Sequence, residues 1–344
     1  MDPVTQGLAG ALCAQAGCRK RDMRWAAAVG VVAGMAPDLD VLIRSPSDSL
    51  LALEYHRHFS HALAFIPIGS LLVALILWPA LRRLQRWKGS ATASFARVYL
   101  WSLLGMASHG VLDAATSYGT RLYWPLTDER VAWNMISVID PLFSVPLAIL
   151  LGIAIWRNSR FIAGTAGLWA AFYLALGWFQ QDRAEQMLSQ WAEAQGISVE
   201  RSVAKPAFAN LILWRGLIDD GQQFHSLAVR IVPGQQAQVW PGSVVERISS
   251  SRLPENSRIA SDMQRFEHFS DRWTFRYFPY ETQDDWFIGD FRYAIDPASE
   301  RPLWGIRLNP DQPQQAVEFE RPARVTDAER EAFIRRLRGG DAEF

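Results

Sequence analysis

Residues 62–81 read ALAFIPIGSLLVALILWPAL and contain no charged side chain. At about 1.5 Å of rise per helical residue, such a run reaches about 30 Å, the thickness of a bilayer's hydrocarbon core. Residues 161–179, FIAGTAGLWAAFYLALGWF, are equally free of charge. Uncharged runs this long are rare in soluble proteins, where the alternative would be a large all-helical core. The first half of this chain therefore reads as a membrane domain.

Three further stretches fit that reading. Residues 136–156 carry only Asp140, and residues 98–112 carry only His109 among ionisable groups apart from Tyr99. Residues 25–43 are apolar except for Asp38 and Asp40 near their end, and residues 3–16 form a shorter apolar stretch. Basic residues then alternate between loops. Segments 17–24, 82–97 and 157–160 hold Arg19, Lys20, Arg21, Arg24, Arg82, Arg83, Arg86, Lys88, Arg97, Arg157 and Arg160. Loops 44–60 and 113–135 hold only Arg44, Arg57, Arg121 and Arg130. The positive-inside rule puts the first set in the cytoplasm. The other loops, and everything after residue 181, then face the periplasm or exterior. The start, MDPVT, lacks the basic region of a cleavable signal.

From residue 183 onward the chain is rich in charge, Pro and Gln, and AFANLILWRG, FHSLAVRIVPG, WTFRYFPY and DWFIGDFRYAI read as short strands. Residues 183–195 and 326–338 read as helices, the second opened by Thr326 and Glu329 in capping-box spacing. The expected architecture is an all-α polytopic membrane domain of five or six hydrophobic helices over residues 1–181. A small α+β extramembrane domain follows over 182–344. The mean hydropathy of −0.02 is then an average over two unlike halves. The 35 basic and 35 acidic side chains cancel, which argues against a nucleic-acid partner. The only cysteines, Cys13 and Cys18, exclude a disulfide-stapled scaffold.

An ionised Asp in a spanning helix costs about 2.5–3.5 kcal/mol on insertion scales, so such residues need a reason. Here Asp38 and Asp40 end one apolar segment, and His56, His58 and His61 precede the next. His109 and Asp113 end a third, and Asp140 opens a fourth. On the topology above, all of them gather at one membrane face. Imidazole and carboxylate are the usual ligands of zinc and related divalent ions. His109 and Asp113, four apart, share a helix face. Asp38 and Asp40 share a side only in an extended segment. An ion would offset the cost of the carboxylates and lower the pKa of a bound water toward neutrality. Individually, each residue also has a plain reading: Asp38 or Asp140 as a helix cap, the histidines as an interfacial polar layer.

MDPVT with Gly10, APDLD at 36–40, HRHFSH at 56–61, SHGVLDAATSYGT at 108–120, WPLTDERVAWN at 124–134 and VIDPLF at 138–143 follow one another in order. On these motifs the chain resembles the YdjM-like family of bacterial inner-membrane proteins, over about residues 1–180. FANLILWRG and GDFRYAI resemble the extension of longer members. The resemblance implies a metal-dependent hydrolase of the inner membrane. The family pattern of His-Arg, two variable residues, Ser or Thr, then His maps onto His56, Arg57, Ser60 and His61, and leaves His58 at a variable place. One departure stands out: the family's opening Thr is usually followed by His, where this chain has Gln6. The spread of His and Asp is also loosely similar to zinc-dependent phospholipases C and nucleases, by analogy only.

The expected site is then a divalent ion, zinc, held by Asp38, Asp40, His56, His61, His109 and Asp113, with Asp2 as a secondary ligand. Asp40 is the candidate general base. Arg57 and Arg130 either steady an anionic group such as phosphate or pair with a nearby Asp. The turn at Thr116–Gly119 is a candidate pocket lining, and Trp273, Tyr277 and Trp286 read as core of the outer domain. A site at the lipid boundary suggests hydrolysis of an ester or phosphoester in a lipid-linked or amphiphilic substrate. The rivals are a transporter and a non-catalytic membrane scaffold using the same polar cluster.

Overall fold

A computed structural model describes residues 1–322 and 325–340, and the chain divides into two compact units. The first takes in Met1–Leu42 and Tyr55–Trp178; the second takes in Ile43–Glu54 and Phe179–Phe344.

The first unit is helical. Its elements are α1 (Pro3–Ala16), α2 (Met23–Met35), α4 (Ile66–Trp87), α5 (Phe95–Ala114) and α6 (Pro141–Arg157), with the start of α7 (Arg160–Gln195). The short α3 (Leu51–Tyr55) straddles the boundary between the units. Three helical stretches are long and apolar enough to cross a membrane: Lys20–Leu42, Leu63–Trp87 and Arg160–Gln195. α6 is apolar but shorter, so among the described residues the helices meeting both criteria fall short of the expected five or six.

Small residues let α1, α2 and α5 approach closely. A Cβ at Gly10 would strike the backbone carbonyl of Gly30, and one at Gly34 would strike that of Gln6. Such contacts replace the hydrophobic drive that helices lack inside lipid. Met23, Ala26, Val29, Val98 and Trp101 are buried in the core that forms beside this crossing. α6 starts at Asp140, whose carboxylate accepts from Phe143 N–H at 3.3 Å and from the Tyr173 hydroxyl at 3.0 Å. Asp140 is thus a helix cap.

α7 runs unbroken for 36 residues, joining the apolar run at 161–179 to the helix expected at 183–195. Gln180, Gln181 and Asp182 change the polarity of the helix without interrupting it, and the first helix-stopping residue is Gly196 (φ +68°).

The second unit holds two antiparallel four-stranded sheets. In the first, β1 (Arg201–Pro206), β2 (Leu213–Asp219), β3 (Gln223–Arg230) and β4 (Gln238–Glu246) lie in chain order. In the second, β5 (Thr274–Arg276), β6 (Trp286–Asp290), β7 (Gly305–Leu308) and β8 (Glu318–Glu320) do the same. The strand expected from residue 207 starts only at Leu213, because Asn210 Oδ1 accepts from the N–H groups of Ile212 and Leu213 and makes a turn. α8 (Arg258–Phe269) was not expected, although Ile259, Met263 and Phe266 give it a buried face. α9 (Asp327–Arg338) opens with the expected capping box of Thr326 and Glu329. Trp273 is buried as core, next to Phe224 at 4.8 Å between ring centroids.

Candidate metal centre

α2 ends at Met35, and the chain continues as a 3-10 helix over Ala36–Leu42. The last carbonyls of an α-helix have no partner within it. One of these, Gly34 C=O, accepts from His109 Nδ1 on α5. Residues two apart in a 3-10 helix point about 120° away from each other. Asp38 and Asp40 therefore approach His61 from two sides: Asp38 Oδ1 lies 3.4 Å from its Nε2, and Asp40 Oδ2 lies 3.3 Å from its Nδ1. His61 sits in a short 3-10 turn, Phe59–His61, laid against α5 at Gly110. A Cβ at Gly110 would strike the His61 carbonyl, so glycine at this position admits the turn.

Four ligand atoms converge as a result. Asp38, His61, His109 and Asp113 each offer one atom, all within 4.8 Å of one another. His61 Nε2 is 3.3 Å from Asp113 Oδ2, and His109 Nε2 is 3.5 Å from Asp38 Oδ1 and 3.6 Å from Asp113 Oδ2. The side chains of His61, His109 and Asp113 are fully buried, and that of Asp38 is 16% exposed.

The chemistry of this set fits a cation. His61 Nε2, His109 Nε2 and Asp113 Oδ2 are buried and make no hydrogen bond. Leaving such atoms unsatisfied is costly. Donors at about 2.0–2.1 Å from a tetrahedral ion stand about 3.3–3.4 Å apart, close to the 3.3–3.6 Å between each imidazole Nε2 and the two carboxylates, while all four atoms lie within 4.8 Å of one another. Both imidazoles present Nε2 because Nδ1 is held from behind, His61 by Asp40 and by Ser60 Oγ at 3.0 Å, His109 by Gly34 C=O. Outer partners of this kind orient metal-binding histidines and fix their tautomer. The group can hold a metal ion.

Asp40 and His56 stand outside the four. Asp40 accepts from Arg57 N–H at 2.8 Å and Ser60 Oγ at 3.2 Å, and pairs with His56 Nδ1 at 3.0 Å. Its place is behind His61. Arg57, in the left-handed region at φ +60°, turns its buried guanidinium so that Nε lies 3.2 Å from Asp113 Oδ2. Nη1 of the same group donates to Thr116 Oγ1 at 3.1 Å, and the guanidinium carbon lies 4.7 Å from the Tyr118 ring centroid. Arg130 lies near the same ring, at 6.0 Å, and donates to the carbonyls of Gly119 and His56 at 3.4 Å. Asp2 caps α1, accepting from Thr5 N–H at 3.0 Å and its hydroxyl at 2.6 Å. His58 turns toward Arg121, whose Nη1 is 2.6 Å from its Nε2.

Gln6, the departure from the family pattern, takes a supporting place. Its amide nitrogen donates to Asp113 Oδ1 at 2.8 Å and to His109 C=O at 3.3 Å. The Met1 amino group also pairs with Asp113 Oδ1. The carbonyl of Gly34 and the Cβ-free face of Gly110 belong to the site equally, and no chemical signal in the sequence marks either.

Comparison with known proteins agrees with the membrane reading. The family described as YdjM inner membrane protein matches residues 1–184. The chain is 27% identical to the uncharacterized protein YfhP of Bacillus subtilis (strain 168) over 135 residues, 39% of this chain and 38% of that protein. It is 31% identical to the inner membrane protein YbcI of Escherichia coli (strain K12) over 113 residues, 32% of this chain and 60% of that protein. The matched stretches thus span less than two thirds of either relative. No solved structure matches. With its apolar helices, its buried Asp/His group and a match over more than half its length, the chain belongs to the YdjM inner membrane protein family.

Proposed function

We propose that this protein is a membrane-embedded, zinc-dependent hydrolase that cleaves an ester or phosphoester in a lipid-linked or amphiphilic substrate. The observation that carries the reading is the set of buried donor atoms on His61, His109 and Asp113 that make no hydrogen bond yet converge with Asp38. A divalent ion held there supplies Lewis acidity toward an ester or phosphoryl oxygen.

The chain's own residues do the rest. Asp40 and Gly34 C=O keep the two imidazoles aimed with Nε2 inward. In this reading Asp40 orients His61, with its Oδ2 3.3 Å from His61 Nδ1. Arg57 brings a cation to Asp113 and, by its forked donors, favours an anionic substrate group such as phosphate. Asp38, the one partly exposed member of the four, marks the side from which substrate reaches the group. The basic loops at 17–24, 82–97 and 157–160 support a multi-pass topology with the group and the C-terminal region on the outer face of the inner membrane.

The experiment uses full-length protein in detergent micelles. Zinc is quantified before and after chelation, and hydrolysis of bis(p-nitrophenyl) phosphate and of a p-nitrophenyl acyl ester is followed in both states. About one ion per chain is expected, with hydrolysis of at least one probe that falls on chelation and returns with zinc. Folded protein that neither contains nor takes up a divalent ion overturns the reading. A second reading, a non-catalytic membrane scaffold, draws on Arg57, whose guanidinium brings positive charge to Asp113. It requires that chelation leave stability unchanged.

A further inference from the structure

Arginines of the C-terminal unit commonly fork onto a carboxylate, as Arg276 does on Glu281, Arg292 on Asp290 and Arg307 on Glu320. Arg252 and Arg272 depart from that habit. Both are exposed, and neither side chain makes a hydrogen bond or ion pair among the described residues. Together with Arg247 they line one cavity of about 310 Å³.

Three separate elements bring these arginines to one place. Arg247 follows β4, where Ile248 N–H donates to Thr274 C=O at 3.0 Å and Thr274 Oγ1 donates to Ile248 C=O at 2.7 Å. Arg252 closes the 3-10 turn Ser250–Arg252, which Ser250 fastens to α8 by donating its N–H and hydroxyl to the Glu267 carboxylate at 3.0 and 2.9 Å. Arg272 follows α8 in a turn whose residues Asp271 and Arg272 are both left-handed, at φ +49° and +58°.

Charge then decides what the cavity suits. Of the described residues lining it only Glu267 is acidic, and Ser250 occupies both of its oxygens. Arg247 engages a single nitrogen, Nη1, with Glu200, Asp219 and the Gly221 carbonyl. A cleft lined by one sign of charge concentrates the opposite ion. Guanidinium forks match phosphate oxygens in geometry as well as charge. A second cavity of about 420 Å³ adjoins the first and shares Arg247, Ile248 and Arg252 with it. There Glu246 and Glu300 disfavour an anion, while Val244, Phe278 and Trp286 offer apolar surface.

The geometry points to a phosphoryl-binding site on the C-terminal unit: Arg247, Arg252 and Arg272 take free phosphate or a phosphate monoester, and Phe278 and Trp286 receive an apolar group attached to it. The site lies wholly within that unit and does not rest on the metal reading.

The test titrates full-length protein in micelles calorimetrically with inorganic phosphate and with phenyl phosphate, after metal has been stripped so that no bound ion takes up phosphate. One saturating anion per chain is expected, with phenyl phosphate up to about 10-fold tighter through its ring. Arg252→Ala and Arg272→Ala should each weaken phosphate about 10- to 100-fold, as the loss of hydrogen bonds to a charged group does. The corresponding lysine variants should lose less, and Arg307→Ala, outside both cavities, should bind as wild type does. Trp286→Ala should remove the advantage of phenyl phosphate and spare inorganic phosphate. Because Arg252 and Arg272 hold no partner among the described residues, their variants should keep the wild-type urea midpoint. In phosphatidylcholine nanodiscs, added phosphatidic acid competes with phosphate if lipid headgroups supply the site and leaves its binding unchanged if the source is soluble. Wild type without saturable phosphate binding, or wild-type affinity in both Arg252→Ala and Arg272→Ala, overturns the assignment. Zinc content measures the metal reading separately, so the two fail independently.

Discussion

Each unit of this protein buries charged groups, and the two handle them differently. In the C-terminal unit, Asp290 is fully buried and Arg292 almost so. Asp290 Oδ1 accepts from Arg292 N–H at 3.1 Å and Nε at 2.9 Å, while Oδ2 accepts from Nη2 at 2.8 Å and from Trp304 Nε1 at 3.0 Å. Arg292 Nη2 also donates to Phe269 C=O at 2.8 Å. Here the protein itself supplies the partners that burial demands. In the N-terminal unit, His61, His109 and Asp113 keep one polar atom each without a hydrogen bond, all turned toward a common centre. The contrast teaches that the polarity of a buried cluster says little about its role. What matters is whether the cluster is already satisfied.

The comparison breaks most visibly at His109. His109→Ala removes one of the four donors and is expected to weaken zinc binding on the order of 1,000-fold, read as ion content after dialysis. Retention of a full ion would mean that the four atoms are not the ligand set. Zinc at about 1,000 times its dissociation constant should likewise stabilise wild type by about 4 kcal/mol, a gain the variant lacks.

The opposite pattern is expected at Asp290. Asp290→Ala strands a buried guanidinium and should cost about 3–5 kcal/mol of stability in the C-terminal unit. Urea unfolding followed by limited proteolysis of that unit measures it, and zinc content should stay at the wild-type level. A loss of zinc without a loss of stability would reverse the contrast between the two clusters.

Lys205 sharpens the picture at smaller scale. Burial, aided by the charge of nearby Arg292, lowers its ammonium pKa from 10.5 to about 7. The depressed value means that the unfolded chain holds more protons between about pH 7 and 10.5. Stability from this group therefore rises with pH across that window, by at most about 1.4 kcal/mol per pH unit. Below pH 7 both states are protonated and the slope vanishes. Lys205→Met should remove the slope, as read from urea midpoints at pH 7 and pH 9. An unchanged slope would assign it to other groups.

Much of the site was legible in the sequence because hydropathy and ligand chemistry are local properties. The run at 62–81 is long and apolar enough to cross a bilayer, and His and Asp near helix ends had to be explained. The turn of α5 alone puts His109 and Asp113 on one face. The sorting of the other candidates was not legible. An extended 38–40 would have put both carboxylates on one side. The 3-10 helix instead splits them, giving Asp38 to the group and Asp40 to the back of His61. Gln6 could be flagged as a departure, but only its contact with Asp113 shows what it does.

Alone, the sequence determined the membrane character of the first half, its family and the residue types available for a cation, since each follows from side-chain chemistry over a short window. Tertiary structure decided which donors face one another, which oxygens are already taken, and that residues 43–54 fold with strands and helices more than a hundred positions away. These depend on how close two backbones come, at Gly10 with Gly30 and at Gly110 with His61, and such approach is a property of three-dimensional packing that no local pattern encodes.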